Sequence, residues 1–355
     1  TATNTSLSGV VTVTGGTIRA GNGQALGTGP LVLASGGLDL NGQAVAVGAL
    51  SGSASASVSS SVGGSARLIT SIAGSSSFAG SIADGAGIVG LTKSGSGRLT
   101  LSNANTYSGD TIITAGTLAL GAGGSFANSA RIVVGDAASS GAVLDLSEQG
   151  SFTIGAGQTL QGKGTVLLGG TTNLTVAGLL SPGNSPGLLT YDGGVTTLTG
   201  TTLMEIWGTT RGAVSGYDAV DVVDGGQLTL GGALLLNFNQ TFGTNTSFLL
   251  FDTLTGGTLA GGFTTVTISG SNSDYTTLSF TQSGDVWTTN ATGNNQVLQL
   301  TQNGSQVTLQ VIAVAVPEPG TFALAGIGGA VAIWQVRRRR RRRGSATPSP
   351  NLDAF

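Results

Sequence analysis

Residues 95–121, GSGRLTLSNANTYSGDTIITAGTLALG, decide the fold of this protein. Apolar and polar residues alternate at Leu99-Thr100-Leu101, and the same alternation returns at Leu144-Asp145-Leu146, further along the chain. A period of two indicates short strands that bury one face. Turn-forming Gly, Ser and Asn residues separate the apolar runs. The segment therefore predicts short strands joined by tight turns.

The same pattern extends in both directions from this segment. Further alternating runs occur at Leu31-Val32-Leu33, Leu38-Asp39-Leu40 and Leu118-Ala119-Leu120, and pairs of glycines recur between such runs. No helical period of apolar residues occurs before Pro317. The body is therefore predicted to be all-β.

Two pairs of segments resemble each other within the body. Ser8 to Gly21 aligns without a gap with Ser108 to Gly121, and Gly36 to Ser53 is related to Ala142 to Gly164. Self-similarity on this scale is typical of a solenoid, in which each unit buries its apolar face by stacking on its neighbours. Compositional drift is the alternative, because segments rich in Gly, Ser and Thr also align by chance.

The repeats predict a rod of parallel strands from Thr1 to about Gly270. Leu, Val and Ile are expected on the inner face, and Thr and Ser on the outer face. With about 20 to 25 residues per rung and roughly 4.8 Å between stacked strands, some 11 to 13 rungs give a rod of about 55 to 65 Å.

A hairpin is predicted after the repeats. The alternating runs Val297 to Thr301 and Val307 to Val311 flank Asn303-Gly304, and Asn-Gly between alternating strands is a strong hairpin signal. Such a hairpin would close the open edge of the last rung, which otherwise invites aggregation. A plain surface hairpin is the alternative.

The composition excludes several classes of function. The 355 residues include no Cys and no His, so nucleophile systems and metal sites that need a thiolate or an imidazole are excluded. The hydrophobic fraction of 39% and the net charge of −2 argue against a disordered chain. The basic residues before Pro317 are few and scattered, so nucleic acid is not expected as a partner.

In the C-terminal region three segments follow one another in the order that is typical of a membrane anchor. The motif at Val316 to Pro319 precedes an apolar run from Thr321 to Val336 and seven consecutive arginines. Sixteen helical residues span about 24 Å, slightly less than the roughly 30 Å hydrocarbon core, and the arginines are expected to hold the cytoplasmic end. The order predicts a single transmembrane helix with the body outside. A buried core helix and an arginine-rich nucleic-acid tail are the alternatives.

The body is similar to a known repeat family. Residues 95–121 resemble the autotransporter-associated β-strand repeat, and Asn4 to Gly21 resembles the second half of another copy. Leu179 to Thr190, followed by Met204 to Ile206 and Tyr217-Asp218, is similar to the C-terminal part of autotransporter passenger rods. This resemblance implies a right-handed parallel β-helix (β-solenoid) on a bacterial surface.

The C-terminus resembles the PEP-CTERM sorting signal of Gram-negative bacteria. The resemblance places the sorting motif, followed by the basic stop, at Val316, Pro317, Glu318, Pro319, Arg337, Arg338, Arg339, Arg340, Arg341, Arg342 and Arg343. It implies export, transient anchoring in the inner membrane and processing by an exosortase, often in bacteria that make exopolysaccharide. Two departures from the family pattern are Gly320, where Ser or Thr is common, and the tail from Gly344 to Phe355.

Acidic residues are the candidates for catalysis or metal binding. Asp218, Asp221 and Asp224 form the only dense acidic set, but positions three apart in a strand point to opposite faces. A calcium site is an alternative, although no EF-hand spacing is present. Glu205 beside Trp207 is an alternative sugar platform. A groove shared by the three aspartates with Lys163 or Arg211 would favour an enzyme.

The sequence therefore predicts an all-β protein, a right-handed parallel β-helix with a C-terminal single transmembrane helix. Its predicted parts are repeats at 1–270, terminal strands at 271–315, the sorting signal at 316–343 and a disordered tail at 344–355. The first residue, Thr1, is expected to follow a missing signal peptide or to begin a fragment.

The predicted function is that of an exported, non-catalytic surface or matrix protein without a cofactor, a metal or catalytic residues. Its face lined by Thr, Ser and Asn is expected to serve adhesion or contact with exopolysaccharide. A carbohydrate-active β-helix enzyme, a lyase or hydrolase that uses Asp or Glu, is the alternative.

Overall fold

The computed structural model describes residues 4–136, 139, 141–183 and 186–314. A first compact unit spans Thr1–Ile312, and a second, Ala313–Phe355, is described only at its first two residues. Within the described residues the regular structure is almost entirely strand, with one helix of a single turn. The prediction of an all-β body is confirmed.

The elements follow one another in short steps. In chain order they are β1 (Val11–Val13), β2 (Thr17–Arg19), β3 (Leu31–Leu33), β4 (Gly37–Asp39), β5 (Ala44–Val47), β6 (Leu50–Gly52), β7 (Ser57–Ser59), β8 (Ser65–Ser71), β9 (Ser75–Phe78), β10 (Ser81–Ile82), β11 (Ile88–Ser94), β12 (Arg98–Leu101), β13 (Thr111–Ile113), β14 (Thr117–Leu120), β15 (Arg131–Val134), β16 (Val143–Asp145), β17 (Ser151–Ile154), β18 (Thr159–Gly162), β19 (Thr165–Val176), β20 (Leu179–Pro182), β21 (Leu188–Leu198), β22 (Thr201–Ile206), β23 (Ala219–Val223), β24 (Gln227–Leu230), β25 (Ala233–Phe238), β26 (Ser247–Thr253), β27 (Thr258–Gly261), β28 (Thr265–Gly270), α1 (Ser273–Thr276), β29 (Phe280–Ser283), β30 (Val286–Thr289), β31 (Gln296–Gln302) and β32 (Gln306–Ala313).

Parallel pairing stacks these strands into long ladders. Face A consists of β1, β3, β6, β9, β12, β14, β16, β19, β21, β23 and β26. Face C consists of β5, β8, β11, β13, β15, β18, β20, β22, β25 and β28. The chain returns to each of these faces once per rung, which is the arrangement of a β-solenoid.

A third face lies between faces A and C in chain order. In the early rungs it is face B1, formed by β2, β4, β7 and β10. In the late rungs it is face B2, formed by β17, the second halves of β19 and β21, β24 and β27. Strands β19 and β21 are long enough to continue from face A into face B2.

The rungs are not uniform in length. On face A Leu31 pairs with Leu50, whereas on face C Thr201 pairs with Ala233, which lies much further along the chain from its partner. The rung length expected from the repeats holds for many early rungs, but the rungs that follow Thr201 are longer. The longer rungs hold insertions at their corners, such as the turn between β22 and β23.

The repeats that align in sequence lie on different faces. In Ser8 to Gly21 the two strands are β1 on face A and β2 on face B1. In Ser108 to Gly121 the matching strands are β13 on face C and β14 on face A. The repeated sequence specifies two strands joined by a corner. Such a unit can lie on any two adjacent faces of the solenoid.

Glycine is required where the corners of stacked rungs touch. Gly97 donates its N–H to the carbonyl of Ile72 and lies so close to Gly74 that a Cβ on Gly97 would collide with the Gly74 carbonyl oxygen. Gly116, in the next rung, has a positive φ of 63° and lies against Gly97 in the same way. A side chain at either position would separate the rungs.

Inward side chains form one continuous apolar core. In β12 the inward residues Leu99 and Leu101 are fully buried, whereas Arg98 and Thr100 point outward. Each fully buried Leu, Val or Ile contributes about 1.5–3 kcal/mol through the hydrophobic effect. The alternation predicted from the sequence therefore corresponds to inside and outside.

Antiparallel strands follow the last parallel rung. Strand β28 ends the parallel ladders, and β29, β30 and β31 form an antiparallel meander. The predicted hairpin strands are present as β31 and β32, and the N–H of Asn303 donates to the carbonyl of Gln306 at 2.9 Å. Strand β32 pairs antiparallel with β26 and so covers the edge of face A.

Candidate surface sites and sorting signal

The asparagine of the Asn-Thr-Tyr-Ser-Gly turn joins three rungs. Asn105 is buried, and its Oδ1 accepts the N–H of Ile82 from the preceding rung at 2.9 Å. Its Nδ2 donates to the carbonyls of Asn103, in its own rung, and Ser125, in the following rung, at 2.8 and 2.9 Å. Both polar atoms of this side chain are therefore hydrogen-bonded to backbone groups at the corner.

The tyrosine and serine of the same turn are used in the same way. The hydroxyl of Tyr107 contacts that of Thr111 at 2.6 Å, and Thr111 contacts the hydroxyl of Ser129 at 2.9 Å. Burial raises the pKa of Tyr107 above its usual value. The Ser108 hydroxyl donates to Asp84 at 2.6 Å. The turn is thus a structural staple, because its polar side chains are engaged with the chain itself.

A buried lysine stabilises the neighbouring corner. Lys93 points inward, and its Nζ donates to the carbonyls of Ser94 and Gly95 at 2.8 Å and of Ala115 at 3.1 Å. Burial lowers the pKa of Lys93 to about 8. Alternation alone does not reveal this role, because an isolated lysine in a strand is usually exposed.

The three aspartates singled out in the sequence do not share a groove. Asp218 is fully buried, and its two carboxylate oxygens accept the N–H groups of Gly187 and Glu205, each at 2.8 Å. Burial raises the pKa of Asp218 to about 8, against the lowering effect of both amides. Asp221 is held by Arg211 at 2.7 Å. Asp224 is exposed at a turn, with a positive φ of 50°.

The remaining acidic candidates are dispersed as well. Asp224 lies beside Asp192, whose pKa is raised by partial burial and by this neighbouring carboxyl group. Glu205 and Trp207 are half-buried at the end of β22, where the backbone N–H of Trp207 donates to the carbonyl of Gly216 at 2.9 Å. Among residues 4–136, 139, 141–183 and 186–314, no group of three acidic side chains is placed to hold a metal ion.

Face B2 presents an ordered array of hydroxyl groups. One outward column consists of Thr153, Thr175, Thr197, Thr229 and Ala260, paired in register from rung to rung. The adjacent column consists of Ser151, Asn173, Val195, Gln227 and Thr258. Most members of both columns are exposed or half-buried, and neither column contains a charged residue. Stacked strands place neighbouring threonines about 4.8 Å apart.

This face agrees with the general expectation of an outer surface lined by Thr, Ser and Asn. Its particular residues were not identified in the sequence, because the register between rungs depends on corner lengths that alternation does not reveal. A usable signal is the threonine that recurs at equal intervals in sequence at Thr153, Thr175 and Thr197.

The sorting residues lie outside the described part of the chain. This holds for Val316, Pro317, Glu318, Pro319 and the seven arginines from Arg337 to Arg343, and for the predicted transmembrane helix. In the portion that the structure describes, no helix is both long and apolar enough to cross a bilayer.

Comparison with known families adds two matches to this β-solenoid. The family model of the passenger-associated transport repeat matches residues 91–120, which comprise β12, β13, β14 and part of β11. The model of the PEP-CTERM protein-sorting motif matches residues 315–341. No curated protein matches the chain.

The resemblance of residues 95–121 to the passenger repeat and that of the C-terminus to the sorting signal are thereby confirmed, whereas those of Asn4 to Gly21 and of Leu179 to Asp218 stay predictions. The chain carries an autotransporter-type passenger repeat in its body and a PEP-CTERM motif further toward its C-terminus in sequence. The motif implies an exported protein that is sorted to the cell surface and processed by an exosortase.

Proposed function

We propose that this protein is a non-catalytic component of the cell surface or extracellular matrix, and that face B2 adheres to exopolysaccharide. The sorting motif at residues 315–341, behind a solenoid with a regular hydroxyl face, is the observation that carries the proposal. Exported chains of this kind meet the polysaccharide layer outside the cell.

The chemistry of face B2 fits a neutral polysaccharide. Apart from Val195 and Ala260, the members of its two columns offer hydroxyl or amide groups at the spacing of the rungs, without charge. A hydroxyl–hydroxyl hydrogen bond that replaces water contributes little, about 0.5–1.5 kcal/mol, so single contacts are weak. Repetition over successive rungs raises the total through multivalency.

The topology we propose follows the sorting motif. The solenoid is right-handed, and a single transmembrane helix from about Thr321 to Val336 anchors the chain transiently in the inner membrane. The arginines hold its cytoplasmic end. The exosortase then removes the segment after Pro317-Glu318-Pro319, and the body leaves the membrane.

The placement of the acidic residues supports the non-catalytic role. A polysaccharide lyase or hydrolase needs carboxyl groups that face one substrate. Asp218 is instead buried against two backbone amides, and Asp221 is paired with Arg211. The alternative, a carbohydrate-active enzyme, therefore has no specific observation in its favour.

Binding to purified exopolysaccharide from the producing strain tests the proposal. The double variant Thr175→Lys, Thr197→Lys places two long charged side chains on face B2 and is expected to weaken binding at least tenfold. Thr159→Lys with Thr201→Lys is the matched control, because both residues are half-buried on face C. Equal loss in both pairs would contradict the role of face B2. Release of new sugar ends during incubation would instead establish an enzyme.

Processing is tested separately by mass spectrometry of the surface and secreted fractions. Chains that end near Pro319 are expected. Recovery of intact chains that retain Trp334 and the arginines would show that the segment is a permanent anchor.

A further inference from the structure

A cleft of about 420 Å³ lies beside the last strand of face C. One wall is formed by residues 264–268, which begin just before β28, and the other by the β29–β30 hairpin and the turn before it. The second wall includes Leu278, Phe280 and Trp287, and none of the residues that line the cleft is charged.

Among the three strands of the last rung, β28 differs from the other two. The edge of β26 is covered by β32. On β27, the N–H of Leu259 donates to the carbonyl of Gly304 at 3.1 Å, and the Gln302 side chain donates to the carbonyl of Gly261 at 2.6 Å. Strand β28 pairs with β25 alone among the described residues. Its outer edge borders the cleft.

The backbone of β28 shows which groups face this cleft. The N–H of Ala233, the first residue of β25, donates to the carbonyl of Gly200 in the preceding rung, so Ala233 faces β22 and Leu234 faces β28. Leu234 pairs with Val266, and in a parallel ladder only one residue of such a pair directs its backbone groups at the other strand. The N–H and C=O groups of Val266 and Ile268 therefore point away from β25 and into the cleft. The consecutive residues 264–268 all line the cleft. A pocket on one face of the strand would contact alternate residues only, so this lining agrees with a cleft at the edge of the strand.

We propose that this cleft binds an extended, uncharged peptide strand that adds to the edge of β28. Strand addition uses the free backbone groups for affinity and alternate side chains for specificity. The inward side chains of Leu234 and Val266 form one column, and those of Leu236 and Ile268 form a second. An added strand continues both columns, so the cleft prefers a peptide with branched apolar residues at these two positions. Phe280 and Trp287, both half-buried, cover those side chains from the opposite wall. The ligand is thus a segment that alternates hydroxyl and branched apolar residues.

A synthetic peptide with the sequence TTVTISG, blocked at both ends, is the probe. In the full chain with Trp207→Phe and Trp334→Phe, Trp287 is the remaining tryptophan and reports on the cleft. Addition of the peptide is expected to shift the Trp287 emission to shorter wavelength in a saturable manner. A control peptide with aspartate at the two apolar positions is expected to give no shift. Absence of a saturable shift with TTVTISG would overturn the proposal.

A proline at position 268 tests the backbone contact. Ile268→Pro removes one N–H that faces the cleft, at a position where an edge strand tolerates proline, and is expected to weaken peptide binding at least about fivefold. Ile268→Val, which keeps the N–H and a branched apolar side chain, is the matched control and should bind normally. Hydrogen exchange of the unmodified chain gives an independent readout, since the peptide should protect the amides of Val266 and Ile268.

Three further outcomes would each overturn the proposal. The first is equal peptide affinity in Ile268→Pro, and the second is no added protection of the amides of Val266 and Ile268. The third is a saturable Trp287 shift with a neutral oligosaccharide but not with the peptide, which would make the cleft a sugar site. None of these outcomes bears on exopolysaccharide binding at face B2, so the two proposals fail separately.

Discussion

Two regions of the solenoid are held together by different chemistry. In the stapled rungs, residues 82–129, buried polar side chains such as Asn105 and Lys93 join the corners of adjacent rungs. In the aromatic rungs, residues 217–280, rings fill the interior. There the ring of Phe248 lies 5.2 Å from Tyr217 and 4.9 Å from Phe242, measured between centroids.

Rung length also differs between the two regions. In the stapled rungs Leu99 pairs with Leu118, whereas in the aromatic rungs Leu228 pairs with Leu259, and the second interval in sequence is clearly the longer. Part of the added length lies in corner insertions, which contribute the buried rings of Tyr217 and Phe242. Aromatic side chains bury about 150–250 Å² each, so these rings add to the apolar core. The shorter rungs also bury Tyr107 and Phe126, but their corners are joined by polar staples.

The largest effect is expected from a charge inside the stapled rungs. Leu101→Asp places an unpaired carboxylate at a fully buried position and should cost several kcal/mol of the free energy of unfolding. Thr100→Asp, on the outward side of the same strand, should change it by less than about 0.5 kcal/mol. Denaturant unfolding followed by circular dichroism measures both. Similar losses would show that the assignment of inside and outside is wrong.

The second prediction concerns the aromatic rungs. Phe248→Ala should cost about 3–5 kcal/mol, because it removes a fully buried ring between two others. Phe152→Ala is the matched control, since Phe152 is 9% exposed and packs against the ring of Phe126 alone. A larger loss of unfolding free energy for Phe152→Ala would contradict the view that rings support the longer rungs.

The third prediction removes one staple. Asn105→Ala leaves the buried N–H of Ile82 without its acceptor, at a cost of about 1–3 kcal/mol. Asn128→Ala should cost less than about 0.5 kcal/mol, because that side chain is exposed and makes one 3.3 Å hydrogen bond to the Thr106 carbonyl. Thermal unfolding of the two variants measures both losses of stability. Equal losses would show that burial of Asn105 adds nothing to the stability of the corner.

The last prediction is a pH dependence in the aromatic rungs. Burial raises the pKa of Asp218 to about 8, above its unfolded value of about 3.8. The stability it contributes is therefore fully present below the unfolded pKa and is lost as the pH rises through about 8. By linkage, this rise in pKa gives a loss of up to roughly 3–4 kcal/mol of unfolding free energy between pH 5 and pH 8, which should lower the melting temperature over that range.

Two other groups mark the limits of this pH window. The pKa values of Asp39 and Asp145 are lowered although burial acts in the opposite direction, because hydrogen bonds from Ser61 and Ser147 favour the charged forms. Their contribution is lost only as the pH falls below the usual range of a carboxyl group. In Asp218→Asn the fall between pH 5 and pH 8 should become smaller, and the part that remains is expected from Asp192 and Glu205, whose pKa values are also raised by burial. An unchanged slope in that variant would assign the titration to another group.

Sequence patterns predicted the strands and the inside of the solenoid because alternation acts within one strand. Leu99 and Leu101 are buried as the pattern requires. The faces on which repeats lie were not predictable, since a corner of the same sequence connects any two faces. The burial of Asp218 was also missed, because its partners Gly187 and Glu205 lie 31 and 13 residues away in sequence. Contacts of this kind depend on the lengths of the rungs between them.

The position of Asn105 has a consequence for how the molecule unfolds. A solenoid in which each rung contacts only its neighbours behaves as a one-dimensional chain of weakly coupled units, and fraying can progress from either end one rung at a time. Asn105 bonds to the rungs before and after its own, so removal of one of these rungs also weakens the other. Residues 82–129 should therefore exchange their amide hydrogens as a single cooperative block, at which unfolding from either end halts.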